Sequence, residues 1–364
     1  MTIDLPFFLD LLRIPSVTSD VPQVNRAVAA MRGWLEARGV FCETEAMPDG
    51  REFLVASVRR GERTPRLLLN AHLDVVPASP ALFEPVIEGD RIRGRGTQDC
   101  KGNALAAASA LAALAGSGAS VGGIFSTDEE EGGETSGEAV RRGCRATGLT
   151  AVLDGGPWSI VCAQKGIVSL RLVARGRGGH ASEPWRFDNP IDRLLDGWAR
   201  VRAAWPAIPE DEWHWGDSIA ATVVRGGAVH NQIPDEAEMV VNVRYVTPGD
   251  APRIEAMIRE TSGLEVERLA SCEPVFCDEN APALAALRGA MAAAFGREIP
   301  MRRMQGATDA RHFAGPGSAP VAIIGVEGGA CHEEREWASL SSIQAYADLL
   351  ESFGRSFAAA EAEP

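Results

Sequence analysis

The sequence predicts an α/β fold in which a domain with a mixed sheet flanked by helices carries an inserted, smaller α+β domain. From Arg66, apolar strand-like runs such as RLLLNAHLDVV alternate with helix-like runs such as the one that begins at Lys101. This alternation is typical of a sheet with helices on its faces. The region after Gln164 is instead rich in strand patterns, with helices expected at Pro190 to Ala204 and at Asp250 to Ser262.

The changes of pattern along the chain set the expected domain boundaries. From about Ala281 the alternation of strand and helix patterns returns. A chain of 364 residues accommodates two domains of ordinary size. We therefore predict one domain formed by residues 1–166 and 277–364, interrupted by a second domain formed by residues 167–276.

Composition and charge exclude several classes of function. The chain has 36 Lys and Arg against 50 Asp and Glu, a net charge of −14, which repels nucleic acid and anionic membrane surfaces. Seven cysteines without a C-x-x-C pair fit free thiols in a reducing compartment. The N-terminus lacks the pattern of a secretory signal, and the longest apolar stretch, Ala104 to Gly116, is shorter than the ~20 residues that span a bilayer. We expect a cytoplasmic protein with no nucleic-acid or membrane partner.

Two motifs place polar side chains where predicted strands end, which is where open α/β sheets bind ligands. In AHLDVVP, His72 and Asp74 are two residues apart. In an extended segment both side chains face the same way, so the carboxylate can orient the imidazole of a metal ligand. The same H-x-D pattern also suits a structural histidine. In GRGTQDCKGN, Asp99 precedes a helix and suits either a ligand or a helix cap.

A third motif, STDEEEGGETSG, places consecutive carboxylates from Asp128 to Glu131 after an apolar strand. These charges repel one another unless a cation or solvent compensates them, so a solvated acidic loop is the alternative. LDGG adds Asp154, and GGACHEEREWASL adds His332. Two histidines and three carboxylates at strand ends supply the nitrogen and oxygen donors that a pair of zinc ions requires.

Taken in their order along the chain, these motifs resemble the dinuclear zinc aminoacylase/carboxypeptidase family. This family of co-catalytic metallopeptidases includes acetylornithine deacetylase, succinyl-diaminopimelate desuccinylase and glutamate carboxypeptidase. The shared pattern is H-x-D-x-V-P, G-R-G-x-x-D-x-K-G, T-D-E-E, a lone acid, G-H-A-S and a late histidine. The resemblance covers nearly the whole chain.

The resemblance implies a two-zinc centre and assigns its residues. The metal ligands that it implies are His72, Asp99, Glu130, Asp154 and His332. Asp99 bridges the ions, His72 and Asp154 hold one of them, and Glu130 and His332 hold the other. Glu129 is then the general acid/base, and Asp74 assists catalysis by orienting His72.

Several alternatives to this assignment stay open. A shift of one residue in the alignment of T-D-E-E would exchange the roles of Glu129 and Glu130. Glu138 is the nearest other carboxylate to Asp154, where many members of the family have Glu. Cobalt or manganese suits the same donors as zinc. Cys100, at a position that is usually Met in the family, is expected to be an apolar filler.

The resemblance also gives the inserted domain a role as a lid and dimerisation module. His180 in GRGGHAS matches a histidine that reaches the partner's active site in a homodimer and stabilises the oxyanion. Asn231 and Arg244 match substrate-binding positions of the lid, and Arg311 matches one in the catalytic domain. A guanidinium suits a substrate carboxylate because it binds in bidentate fashion, although each arginine would also suit a surface ion pair.

The predicted function is hydrolysis of the amide bond of small N-acyl amino acids by water activated at two zinc ions. A dipeptidase or C-terminal exopeptidase with the same metal centre is the alternative within enzymes. A metal-binding scaffold without turnover is the alternative outside them.

Overall fold

The computed structural model describes residues 2–209 and 215–359. Its helices are α1 (Leu5–Leu12), α2 (Val21–Glu36), α3 (Lys101–Leu114), α4 (Glu134–Arg141), α5 (Pro190–Ala204), α6 (Ala251–Ser262), α7 (Pro282–Phe295), α8 (Ala310–Phe313) and α9 (Leu340–Phe357). Its strands are β1 (Phe41–Ala46), β2 (Glu52–Ser57), β3 (Leu67–His72), β4 (Val86–Glu88), β5 (Arg91–Arg93), β6 (Val121–Ser126), β7 (Leu149–Leu153), β8 (Ile160–Gln164), β9 (Gly166–Arg175), β10 (Gly179–His180), β11 (Ser218–Gly226), β12 (Gln232–Ile233), β13 (Glu236–Tyr245), β14 (Glu265–Cys272), β15 (Val275–Phe276), β16 (Met301–Met304), β17 (Val321–Ile324), β18 (Gly328–Gly329) and β19 (Trp337–Ser339).

The chain forms two compact units, which confirms the predicted α/β fold with a smaller α+β insertion. The first unit comprises Met1–Cys162, Phe276–Arg302 and Thr308–Pro364. The second comprises Ala163–Val275 and Arg303–Ala307. The two helices expected in the insertion are present as α5 and α6.

The first unit contains a mixed central sheet in which the strand order runs β1-β2-β6-β3-β7-β17-β8. β3 is parallel to β6 and β7, and β17 is parallel to β7. Every residue of β3, β6 and β7 is buried, which explains why these strands read as continuous apolar runs rather than alternating ones. Their carboxyl ends lie at one edge of the sheet.

Helix α3 packs close to this sheet and against α9, because half of its 14 residues are alanine. Gly102, in the first turn of α3, allows the turn before the helix to come close: a Cβ at this position would lie 2.2 Å from the carbonyl oxygen of Thr97. Among helices in the described parts of the chain, none is long and apolar enough to cross a membrane.

A small sheet in the first unit has the strand order β18-β19-β5-β4. The turn that follows β5 leads into α3 and carries Asp99. The loop between β18 and β19 carries His332. The antiparallel pairing of β19 with β5 therefore brings together two segments that are far apart in the sequence.

The second unit is a four-stranded antiparallel sheet, in the order β11-β13-β9-β14, with α5 and α6 packed on one face. Along β13, every second residue is buried, which is the alternation expected of a strand with one covered face. Val241 and Val243 of β13 pack in one core with Leu194 of α5 and Ile254 of α6. A separate pair of short strands, β10 and β12, carries His180.

Candidate metal centre

The candidate site lies at the carboxyl ends of the parallel strands of the central sheet. His72 is the last residue of β3, Asp154 follows β7 directly, and Glu129 begins a short 3-10 turn after β6. Because β3 is parallel to both β6 and β7, these side chains meet at the same edge of the sheet.

Asp99 reaches this edge from the turn between β5 and α3 and contacts two histidines. One of its carboxylate oxygens lies 3.0 Å from Nε2 of His72, and the other lies 3.2 Å from Nε2 of His332. The same Nε2 of His332 lies 3.0 Å from Oε2 of Glu130. One carboxylate oxygen of Asp99 therefore contacts His72, and the other contacts His332, which in turn contacts Glu130.

The donor atoms form two clusters of the size that a metal ion requires. Single atoms of His72, Asp99 and Glu130 lie within 4.8 Å of one another, and so do single atoms of His72, Cys100 and Asp154. Oε1 of Glu130 is buried and has no hydrogen-bond partner among the described residues. Such an atom is costly to bury unless a cation compensates it. The residues present therefore fit divalent cations.

Repulsion and burial act on the carboxylates of the site. Burial and then the charge of Asp154 raise the pKa of Glu129 well above its usual range. Burial raises the pKa of Glu130 to about 7, and burial together with the charge of Asp99 raises the pKa of Asp154. Burial also acts to raise the pKa of Asp99, but hydrogen bonds from the two histidines outweigh it and lower the pKa. A divalent cation would relieve this repulsion.

Asp74 orients both His72 and the acidic turn after β6. Its backbone oxygen lies 3.0 Å from Nδ1 of His72. Because a carbonyl oxygen only accepts, Nδ1 carries the proton and Nε2 is the atom available to a metal. The buried Asp74 carboxylate accepts hydrogen bonds from Oγ1 of Thr18 at 2.8 Å and from the N–H groups of Glu129 and Glu130 at 3.3 Å each. Asp74 thus joins the end of β3 to the turn that carries the two glutamates.

The neighbouring glutamates of the turn differ in their contacts. Glu130 contacts His332, as described above. The side chain of Glu129 forms no hydrogen bond or ion pair with any residue in ranges 2–209 and 215–359. Arg311, in α8, donates a hydrogen bond from Nη2 to the carbonyl oxygen of Gly132 and so lies beside this turn.

The other three residues singled out in the sequence lie in the second unit. His180 and Asn231 come together there, because β10 pairs with β12 and the N–H of Ala181 donates to the carbonyl oxygen of Asn231 at 3.0 Å. Nδ1 of His180 accepts the N–H of Ser182 at 3.2 Å. Arg244 lies on β13, where its Nε donates to Oδ1 of Asn242 at 3.1 Å.

Two residues of the site were not predicted from the sequence. Cys100, which is expected to be an apolar filler, is wholly buried; its sulfur lies within 4.8 Å of donor atoms of His72 and Asp154, and burial raises the pKa of its thiol to about 12. Its Sγ donates to the carbonyl oxygen of Leu153 at 2.8 Å. The only sequence signal for it was its place next to Asp99.

Asp309 is the other such residue. The residue is 1% exposed, and its Oδ2 accepts hydrogen bonds from Ser126 at 2.6 Å and from Ser136 at 2.7 Å. These serines lie at the end of β6 and in the first turn of α4, so Asp309 holds both sides of the acidic turn. Its position two residues before Arg311 was the available signal.

The chain is similar in sequence to one family model and to named proteins. The model described as "Peptidase family M20/M25/M40" matches residues 68–355. A succinyl-diaminopimelate desuccinylase of Acidiphilium cryptum is 30% identical over an alignment of 366 positions, which covers 95% of this chain and 96% of that protein. A probable carboxypeptidase of Aspergillus clavatus is 28% identical over an alignment of 272 positions, which covers 69% of this chain and 64% of that protein.

The fold is similar to that of solved structures. An M20 family metallo-carboxypeptidase from Sulfolobus solfataricus, Sso-CP2, superposes with a TM-score of 0.83 over 98% of this chain and 99% of that chain. The two sequences are 16% identical, so this likeness concerns the fold.

Proposed function

Because the chain belongs to peptidase family M20/M25/M40, as its motifs predict, we propose that it hydrolyses the amide bond of small N-acyl amino acids. Membership makes it a hydrolase of amide or peptide bonds. The desuccinylase that matches over nearly its whole length supports an N-succinyl amino acid as the substrate, and an N-acetyl amino acid is the other substrate that we propose. The observation that carries the proposal is the meeting of His72, Glu130 and His332 around Asp99, with Asp154 close to His72.

The family implies a divalent metal, and we assign two ions to the centre. His72 and Asp154 would hold one ion and Glu130 and His332 the other, with Asp99 shared between them. Zinc suits these donors, as do cobalt and manganese. Ions in these positions would polarise the amide carbonyl and increase the acidity of water.

Glu129 is the group that we assign to proton transfer. Its carboxylate is close to the ligands by sequence and fold, yet it has no hydrogen bond or ion pair with a described side chain. It is therefore available to accept the proton of the attacking water and to return it to the leaving amine. Asp74 keeps Glu129 in place through the N–H of that residue.

His180 is assigned to the oxyanion. The N–H of Ser182 points at Nδ1, so a neutral ring carries its proton on Nε2, which can donate to a developing negative charge. The resemblance implies that this histidine acts in the partner's site. We therefore propose a homodimer in which the second unit is the lid and dimerisation module.

Substrate recognition is assigned to Asn231, Arg244 and Arg311. The guanidinium groups of the two arginines suit the carboxylates of an N-acyl amino acid. Arg311 is supported by its contact with the backbone of the turn that carries Glu129. A cytoplasmic location is supported by the seven cysteines, none of which forms a disulfide bond within the described residues.

The test of this function is product analysis. Zinc-loaded protein is mixed with a pool of N-succinyl and N-acetyl amino acids and dipeptides, and products are identified by mass spectrometry beside a chelated control. Chelator-sensitive release of succinate or acetate with one free amino acid would support the proposal.

A carboxypeptidase or dipeptidase is the second candidate, because a probable carboxypeptidase is 28% identical over much of this chain. Release of amino acids from dipeptides, with the acylated compounds intact, would favour it. No release of any product by fully metal-loaded protein would favour a metal-binding scaffold.

A further inference from the structure

We propose that the buried pair of Arg95 and Glu336 is a positioning device that holds the Asp99 turn and the His332 loop in one arrangement and so sets the metal affinity of the centre. This inference rests on the metal-ligand roles proposed for Asp99 and His332. Neither Arg95 nor Glu336 offers a donor atom to the two clusters of possible ligands.

The carboxylate of Glu336 is wholly buried and is surrounded by donors from one turn. Its Oε1 accepts the backbone N–H groups of Gln98 at 3.1 Å and of Asp99 at 3.2 Å. Its Oε2 accepts the N–H of Gly96 at 3.1 Å and Nη1 of Arg95 at 2.5 Å. The side chain therefore fixes the peptide that carries the shared metal ligand.

Arg95 extends the same connection to the loop that carries His332. While Nη1 binds Glu336, Nη2 donates to the carbonyl oxygen of Glu333 at 3.3 Å. Glu333 is the residue next to His332. The Arg95 side chain is 3% exposed, so its charge depends on these partners rather than on water.

Both residues extend the pairing of β5 with β19. Arg93 of β5 is opposite Trp337 of β19, and Glu336 precedes Trp337 directly. The backbone N–H of Gly94 also donates to the carbonyl oxygen of Glu336 at 3.2 Å. The pairing of β5 with β19 ends at Arg93 and Trp337. Next to this end, where the backbone is irregular, the ion pair of Arg95 with Glu336 connects the two segments.

The ion pair therefore connects the backbone segments that carry the two proposed metal ligands Asp99 and His332. The oxygens of Glu336 are engaged by three N–H groups and a guanidinium, so the turn keeps this conformation only while the carboxylate is there. A shift of Glu336 moves the Asp99 peptide, and a shift of Arg95 moves the peptide beside His332. Partners of this kind typically change metal affinity by about 10–100-fold when they are altered.

The test uses two variants that keep both charges, Arg95→Lys and Glu336→Asp. An ammonium cannot bind Glu336 and the Glu333 carbonyl in the fork geometry of a guanidinium. The shorter Asp carboxylate cannot reach all the donors of the turn. Arg93→Lys is the matched control, because Arg93 is the last residue of β5 and lies two residues before Arg95. It forms an ion pair with Glu88 at 3.1 Å, in which about half of each side chain is exposed.

Zinc dissociation constants are measured by chelator competition for the whole chain, with circular dichroism to show folding and with kcat and KM at low and saturating zinc. We expect Arg95→Lys and Glu336→Asp to fold and to bind at least one ion about 10–100-fold more weakly, while excess zinc restores kcat. Arg93→Lys should bind as the parent does.

Parent-like zinc affinity in both folded variants would overturn the inference. A variant that fails to fold would also count against it, because the pair would then support the fold as a whole. Both results leave the proposed function intact, provided that the parent binds zinc and hydrolyses its substrate. A parent that binds no metal would instead refute the proposed function itself.

Discussion

At the scale of single residues, Glu129 and Glu130 are adjacent in sequence but differ in their contacts. Glu130 lies 3.0 Å from Nε2 of His332, whereas the Glu129 carboxylate has no such partner among the described residues. In the sequence, their roles depend on how T-D-E-E is aligned with the family pattern, because a shift of one residue exchanges them. The contacts support a ligand role for Glu130 and a proton-transfer role for Glu129. The motif alone does not distinguish these two roles.

The substitution Glu129→Gln should lower kcat by about 10²–10⁴-fold, because the amide cannot accept a proton from water. Zinc content should stay at the parent value, since Glu129 is not assigned to a metal. Glu131→Gln, in the same turn but exposed, is the control and should keep parent turnover. Near-normal turnover of Glu129→Gln with zinc bound would contradict the assignment.

Glu130 and His332 should each contribute less to the stability of the metal-free protein as pH rises through the neutral range. Burial gives Glu130 a pKa of about 7 in the folded state against 4.5 ordinarily, so the folded state keeps a proton that the unfolded state loses between these values. Hydrogen bonding to Asp99 raises the pKa of His332 from 6.5 to about 9, and the stability it contributes is lost as pH rises between them. Both groups act in the same direction.

Thermal unfolding of chelated protein, followed from pH 5 to pH 9, checks this expectation. As pH rises, the midpoint of the parent should decrease relative to that of Glu130→Gln, which lacks one of the two titrations. Zinc-loaded protein should show a weaker dependence, because the cations compensate the carboxylates. An equal change of the midpoint in the parent and in Glu130→Gln would contradict the electrostatics described for Glu130.

At the scale of secondary structure, the strand ends of the site were predictable because buried parallel strands read as apolar runs that stop at polar residues. His72, Asp154 and the acidic turn follow such runs directly. The link between Glu336 and the Asp99 turn was not predictable, because the two residues are 237 positions apart and meet only through the pairing of β5 with β19. No local pattern around Glu336 distinguishes it from a solvated glutamate.

The contact of α3 with the turn before it gives a test at this scale. Gly102→Ala would place a Cβ 2.2 Å from the carbonyl oxygen of Thr97, so the turn or the helix must move. We expect a loss of stability of about 1–3 kcal/mol and weaker zinc binding, because the same turn carries Asp99.

Gly289→Ala is the matched control. Gly289 lies within α7, and a Cβ there would have no neighbour within 4 Å. Alanine should therefore stabilise the protein by up to about 1 kcal/mol through helix propensity. Urea unfolding of the two variants measures both effects, and a Gly102→Ala variant as stable as the parent would contradict the close packing described for α3.

At the scale of the whole molecule, the insertion of an α+β unit into an α/β unit was predictable from the sequence. The alternation of strand and helix patterns stops abruptly after Gln164 and returns at about Ala281. Residues 303–307 nevertheless group with the second unit, although they lie far from it in sequence. Five residues are too few to show a sequence pattern, so only their three-dimensional contacts place them in the second unit. The assignment of a lid and dimerisation role to the second unit stays a proposal, with His180 as its main support.

The central claim is that amide hydrolysis by this chain depends on two divalent cations held around Asp99. The most direct measurement is a zinc titration of chelated protein in which bound metal and the rate of hydrolysis of an N-acyl amino acid are followed together, with Asp99→Asn in parallel. We predict that the rate saturates at two bound ions per chain and that Asp99→Asn loses both tight binding and turnover. Hydrolysis that persists after exhaustive chelation, or an Asp99→Asn variant that binds two ions and turns over as the parent does, would contradict the account.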